Sequence, residues 1–285
     1  MRVLITGSSG LIGTALCSAL DDPVGLRRGS EWDPEGGRID PAVLEGADAV
    51  VNLAGEGIGE HRWSDEHKRR VLDSRVNGTR ALASAVAASG SVKVFVSGSA
   101  IGYYGDRGDE VLTESSAPGS GFLAGVAQQW EAAAAPAAEA GVRTVLLRTG
   151  IVLSPKGGAL GKQLLPFKAG LGGRLGSGRQ WQSWVHIDDE VGAILHALTN
   201  ESVSGPVNAT APNPVTNAEF TKALGHALHR PTVVPVPTVG LRALFGREMT
   251  AEMLLAGQRV QPAKLESTGY SFRHPELGRA LEDLL

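Results

Sequence analysis

Gly7, Gly10 and Gly13 stand three residues apart in Gly7-Ser8-Ser9-Gly10-Leu11-Ile12-Gly13, directly after the apolar run Val3 to Thr6 and before a helical pattern from Leu11 to Leu20. A glycine-rich turn between a strand and a helix can hold a pyrophosphate. Glycine lets backbone N–H groups approach the ligand, and the helix N-terminus adds partial positive charge and free donors. The GxxGxxG spacing is one residue longer than the GxGxxG dinucleotide fingerprint, and a glycine turn without a ligand is the competing reading. The next strand ends near Leu26 and runs into Arg27 and Arg28, where a site for NAD usually carries Asp or Glu for the ribose hydroxyls. Two guanidiniums there suit a 2′-phosphate, since arginine offers planar, charge-assisted donors. NADP(H) is therefore expected over NAD, with two surface charges after a strand as the alternative.

Such a turn works only on a frame that repeats strand and helix. Short β-branched runs alternate with helical patterns: Ala49 to Leu53, a helix from Asp65 to Ala88, Val92 to Ser97, a helix from Phe122 to Ala140, and Thr144 to Leu147. This alternation predicts an α/β fold with a Rossmann-like, doubly wound parallel sheet. After about residue 153 the rhythm breaks into Gly-rich and Pro-punctuated stretches, while Val191 to Leu198 reads as a helix returning to the main domain. The expected division is a dinucleotide-binding domain over 1–153, joined by 184–207, and a smaller interleaved C-terminal lobe over 154–183 and 208–285.

At 285 residues and 42% hydrophobic, the chain can bury a large core, and a net charge of −3 gives little basis for gripping a phosphate backbone. No nucleic-acid partner is expected. The basic run Lys68-Arg69-Arg70 sits in a helix whose apolar positions face elsewhere and reads as a solvated face. No apolar stretch is long enough to span a bilayer and no signal peptide is read, so the expectation is a cytoplasmic protein without a membrane partner. The lone Cys17 falls among helical apolar positions and reads as a buried thiol. His226 and His229 lack a recognisable third ligand, so no metal is expected.

The whole chain resembles the extended short-chain dehydrogenase/reductase superfamily. The resemblance rests on Gly7 to Gly13, Asn52-Leu53-Ala54-Gly55, Ser97-Gly98-Ser99-Ala100 before Tyr103-Tyr104-Gly105, Arg148 after a strand, and Trp184-Val185-His186-Ile187-Asp188-Asp189. It is closer still to the NAD-dependent epimerase/dehydratase-like branch often labelled nucleoside-diphosphate-sugar epimerase or cell-division inhibitor, through Asn52 to Glu56, Gly176 to Gln180, Trp130-Glu131 and Gly269-Tyr270. The resemblance implies that Leu53, Ala54 and Gly55 line the cofactor ribose, that Ser97 lies under the nicotinamide ribose, and that Ser99 is the catalytic serine. Ser99 read by itself is also compatible with a local backbone bond.

One departure stands out. Superfamily enzymes carry Tyr-x-x-x-Lys on the helix after the serine strand, where lysine lowers the tyrosine pKa for proton exchange. Here that helix reads Phe122-Leu123-Ala124-Gly125-Val126, and Arg75 stands where an asparagine usually supports the relay. Tyr103, Tyr104 and Glu56 are the candidate replacements, with Arg75 as a source of positive charge near the cofactor. Trp63, Trp181, Trp184 and His186 are candidates for the substrate site, with packed aromatics as the alternative. The expected function is oxidoreductase or epimerase chemistry on an unidentified small carbonyl or hydroxyl compound, sugar-like compounds included. A cofactor-binding sensor or interaction protein without turnover is the competing reading.

Overall fold

The computed structural model describes residues 1–29 and 31–285. Its centre is a six-stranded sheet built from Arg2–Thr6 (β1), Asp22–Gly25 (β2), Ala49–Asn52 (β3), Val94–Ala100 (β4), Arg143–Thr149 (β5) and Gly205–Ala209 (β6), in the order β6-β5-β4-β3-β1-β2. The pairs β1/β2, β1/β3 and β3/β4 are parallel. The strand interiors Val3, Leu4, Ile5, Val50, Val51, Phe95 and Val96 are buried, as continuous apolar runs in a sheet covered on both faces should be. The doubly wound α/β architecture expected from the alternating pattern is the one observed. Among the described residues no helix is long and apolar enough to cross a membrane.

The chain divides into two compact units. The first comprises Met1–Ala100, Gly125–Arg148 and Val191–Val207. Its core packs Leu4, Val50 and Phe95 of the sheet with Leu82, Ala83 and Val86 of the helix Asp65–Ser89. That helix starts on Ser64, whose hydroxyl accepts from His67 N, and stops at Gly90 in the left-handed region, so both of its ends carry conventional caps. The helix expected over 122–140 is two helices, Phe122–Ala133 and Ala135–Glu139. Pro136 explains the break, since its ring and missing N–H cannot continue a helix through Ala134.

The second unit comprises Ile101–Ala124, Thr149–Glu190 and Asn208–Leu285. Its core gathers Leu153, Leu160, Trp184, Phe220, Leu224 and Leu281. The segment 101–124, read from sequence as part of the first domain, belongs here because Ile101, Tyr104 and Leu112 cluster with Val260. Cys17 is half-buried rather than fully enclosed, and burial raises its thiol pKa.

Candidate functional site

The three glycines of the first turn do different work. Gly7 adopts φ +68°, and a Cβ there would lie 2.8 Å from Leu53 C, so the close approach of the turn to the end of β3 requires glycine. At Gly13 a Cβ would overlap Gly7 O and crowd Ser8 Cα, so the helix can pack under the turn only without a side chain. Gly10 is the exception. Its backbone is extended (φ −74°, ψ 175°), and a Cβ would meet only Gly7 O, at 3.2 Å. The protein's own packing demands less of position 10, where Gly7 O would have to give by a few tenths of an ångström, and Ser9 and Gly10 form an exposed crest. Gly10 is also the N-cap of the helix Leu11–Ala19 and offers no side-chain acceptor to its first-turn N–H groups. A bare crest at a helix N-terminus is a cradle for an anionic group.

Arg27 and Arg28 follow β2 through a local tie to the same turn. A Cβ at Gly25 would lie 2.6 Å from Ser8 Oγ, so the Ser8 side chain packs directly over the strand end that feeds the arginines. Beyond them, Gly29 N donates to Trp32 O at 2.9 Å, and Arg27 N donates to Glu31 Oε2 at 3.0 Å. Trp32 is 2% exposed and packs against Gly78 of the helix Asp65–Ser89, which anchors the loop. Both arginines are exposed, and neither guanidinium has a hydrogen bond or ion pair with a described residue.

The end of β3 is held by a buried polar chain. Thr6 Oγ1 donates to Asn52 Oδ1 at 2.6 Å, Asn52 Nδ2 donates to Thr79 Oγ1 at 2.8 Å, and Trp130 Nε1 donates to Thr79 Oγ1 at 2.9 Å. Ala54 N donates back to Thr6 Oγ1 at 3.3 Å, which sets the path of Leu53 to Gly55. Arg75 lies beneath this loop, donating to Glu56 O at 2.9 Å with its guanidinium 4.9 Å from the Trp130 ring. A Cβ at Gly55 would come within 3.0 Å of Arg75 Cζ, so Gly55 is glycine because of Arg75. Burial lowers the Arg75 pKa to about 10, against the opposing charge of Glu56. Its Nε is buried without a partner among the described residues. Arg75 thus props the loop from below. Ser97 is wholly buried in β4, opposite Asn52 in the β3/β4 register.

Ser99, at the end of β4, is 4% exposed and donates to Glu131 Oε1 at 2.7 Å. Arg148 at the end of β5 clamps the same carboxylate, Nε to Oε1 and Nη2 to Oε2, each at 2.8 Å. The Arg148 and Glu131 side chains are 3% and 9% exposed, so this is a buried, bidentate ion pair. Across its length the helix Phe122–Ala133 holds neither tyrosine nor lysine, and Glu131 is its ionisable side chain. Glu131 and Arg148 were singled out in the sequence only as marks of resemblance. Charged residues seventeen positions apart on different elements give no local pattern that would announce a pair.

A model of the NAD dependent epimerase/dehydratase family matches residues 3–209. The chain belongs to this family. A second model, a domain of unknown function, matches residues 236–284. An epimerase family protein of Mycobacterium bovis is 49% identical over 290 residues, covering 98% of this chain and 96% of its own. The structure is similar to that of human epimerase family protein SDR39U1 (isoform 2) with NADPH, with a TM-score of 0.91 and 39% identity across 100% of this chain and 99% of that one. It is also similar to the nucleoside-diphosphate sugar epimerase of Corynebacterium glutamicum, with a TM-score of 0.83 and 40% identity across 100% of this chain and 58% of that one.

The remaining candidates sort differently once burial is known. Tyr104, expected as a stand-in acid in this family member, is fully buried, with its hydroxyl 2.7 Å from Asn208 Oδ1 and 3.0 Å from Thr113 O. That phenol is a satisfied core group, which corrects the expectation. Tyr103 packs edge-on against it at 5.4 Å and stays half-buried. Trp184 is likewise corrected from site residue to core: it is 0% exposed and donates to Asn213 O at 3.1 Å. Trp181 is half-buried, donates to Asp109 Oδ1 at 2.7 Å, and carries Arg259 over its ring at 4.4 Å. Trp63 bonds Ile58 O at 3.0 Å, and Glu56 lies 3.8 Å from Arg70.

His186 is 1% exposed and stacks on His274 with centroids 3.7 Å apart. Burial and His274 lower its pKa. His186, Asp188 and His274 place ligand-type atoms within 4.8 Å of one another. However, His186 Nδ1 already accepts from Asp188 N at 3.1 Å, and rings stacked at 22° aim their lone pairs along parallel planes rather than at one point. The neighbouring Asp189 explains both the His-Ile-Asp-Asp run and Tyr270. Its carboxylate accepts from Tyr270 Oη at 3.0 Å and from Arg273 N and His274 N at 2.8 Å, fastening the C-terminal segment.

Proposed function

We propose that this protein binds NADP(H) and acts as an oxidoreductase or epimerase on a small hydroxyl or carbonyl compound. The observation that carries the cofactor choice is the pair of exposed guanidiniums of Arg27 and Arg28, without a partner among the described residues and tied through Ser8 and Gly25 to the glycine crest. In this reading Ser9 to Gly13 receive the pyrophosphate, Arg27 and Arg28 the 2′-phosphate, and Leu53 to Gly55, propped by Arg75, the adjoining ribose, with Ser97 beneath the nicotinamide ribose. The human relative whose solved structure is with NADPH supports the same choice. The cofactor supplies hydride transfer, and Ser99 holds the oxygen of the reacting group.

A second reading, a cofactor-binding sensor without turnover, is favoured by the absence of tyrosine and lysine from Phe122–Ala133. General acid–base help is typically worth about 10²- to 10⁴-fold in rate, so generic alcohols and carbonyls should turn over weakly at best. The two parts of the proposal separate experimentally. 2′,5′-ADP should bind and compete with NADPH, whereas 5′-AMP should not compete at the same concentration. Equal competition by the two would remove the role given to Arg27 and Arg28. Rapid turnover of a small-substrate panel would dismiss the sensor reading.

A further inference from the structure

Ser99, Glu131 and Arg148 fix the direction in which a hydroxyl points. A serine has one proton and two lone pairs to offer. The Ser99 proton goes to Glu131 Oε1 at 2.7 Å; that oxygen also accepts from Arg148 Nε, and Oε2 accepts from Arg148 Nη2, both at 2.8 Å. Bonds to an ionised carboxylate are roughly twice as strong as neutral ones, so a neutral carbonyl arriving at Ser99 does not draw the proton away. What Ser99 presents to a ligand is its lone pairs. The helix Phe122–Ala133, lacking tyrosine and lysine, brings no phenol or ammonium to supply a donor instead.

We propose that the Ser99 position recognises a hydrogen-bond donor, a hydroxyl group of the ligand, in preference to a carbonyl oxygen. Glu131 and Arg148 are positioning residues that set this polarity. The inference rests on the reading of the first unit as an NADP(H) site, and it names the substrate class for that site: an alcohol, met by the oxidised cofactor. Within the proposed function, where Ser99 holds the oxygen of the reacting group, the carboxylate makes Ser99 the acceptor of that bond rather than its donor.

Matched probes test this. Protein saturated with NADP⁺ is titrated with cyclohexanol against cyclohexanone and with glycerol against dihydroxyacetone, followed by ligand-observed NMR. The unmodified chain should prefer the alcohol of each pair by about tenfold, the scale of one mismatched hydrogen bond. Ser99→Ala should erase the preference. The double variant Glu131→Leu/Arg148→Met exchanges the ion pair for apolar groups of similar volume, a replacement that is often neutral for folding. It frees the Ser99 proton and should erase or invert the preference. The inference is overturned by a ketone binding as well as its alcohol in the unmodified chain, by an unchanged preference in the double variant, or by no saturable binding of either class. Should the double variant not fold, survival of the preference in Ser99→Ala overturns it alone. NADP⁺ and NADPH affinities measured on the same samples separate the two levels: lost cofactor binding defeats the site reading, whereas intact cofactor binding without alcohol preference defeats only the polarity.

Discussion

Removing Arg148 should be among the more damaging single changes available in the first unit. Arg148→Met leaves the Glu131 carboxylate, 9% exposed, without the two guanidinium bonds of 2.8 Å that hold it. Hydrogen bonds to charged groups contribute about 1.5–3 kcal/mol each, so two amount to roughly 3–6 kcal/mol. Breaking a buried pair from one side independently costs about 3–5 kcal/mol, most of it the uncompensated charge. The two routes agree on about 3–5 kcal/mol, a large share of the roughly 5–15 kcal/mol that stabilises a typical protein. Glu131→Leu should cost a similar amount, because it takes the bidentate carboxylate away from the buried guanidinium. The double variant removes both charges and should fall far short of the sum of the singles. Urea unfolding followed by circular dichroism on the four proteins closes the cycle. Single variants that each cost under about 1 kcal/mol, as exposed pairs do, or strict additivity in the double, would refute the buried-pair reasoning.

The glycine turn gives a contrast within one motif. Gly10→Val should keep the fold, since its φ of −74° suits any residue, but lose NADPH binding; Gly13→Val should damage the fold itself, because its Cβ overlaps Gly7 O. Circular dichroism with cofactor titration distinguishes them, and cofactor binding retained in a folded Gly10→Val protein would show the turn misread. Glu190, wholly buried with Thr149 Oγ1 donating to it at 2.8 Å, has its pKa raised by burial to about 8 from 4.5. Below pH 4.5 both states hold the proton, and between 4.5 and about 8 only the folded state does, so this contribution to stability is lost by about 1.4 kcal/mol per pH unit as pH rises. Glu190→Gln should therefore match the parent near pH 4.5 and exceed it at pH 8 in urea midpoint, and parallel curves would contradict this.

The parts legible in the sequence were those whose physics is local. A strand, three glycines and a helix start lie within thirteen residues, and backbone sterics alone dictate Gly7 and Gly13. The alternation of short apolar runs with helical patterns was enough for the sheet. The Ser99 environment was not legible as a site, because Glu131 and Arg148 are surface-type residues that become a buried pair only when a helix and a strand end meet. Aromatic residue type did not separate the core groups Tyr104 and Trp184 from the half-buried Tyr103 and Trp181, since the same side chains serve both purposes until burial is known. The assignment of 101–124 depended on Val260, far along the chain, and no short-range pattern reaches that distance.

Calorimetry of NADPH against NADH, on the unmodified chain and on Arg27→Ala/Arg28→Ala, decides the cofactor choice. The unmodified chain should bind NADPH more tightly than NADH, and the double variant should lose far more affinity for NADPH than for NADH. Equal affinities for the two cofactors in the unmodified chain would contradict it.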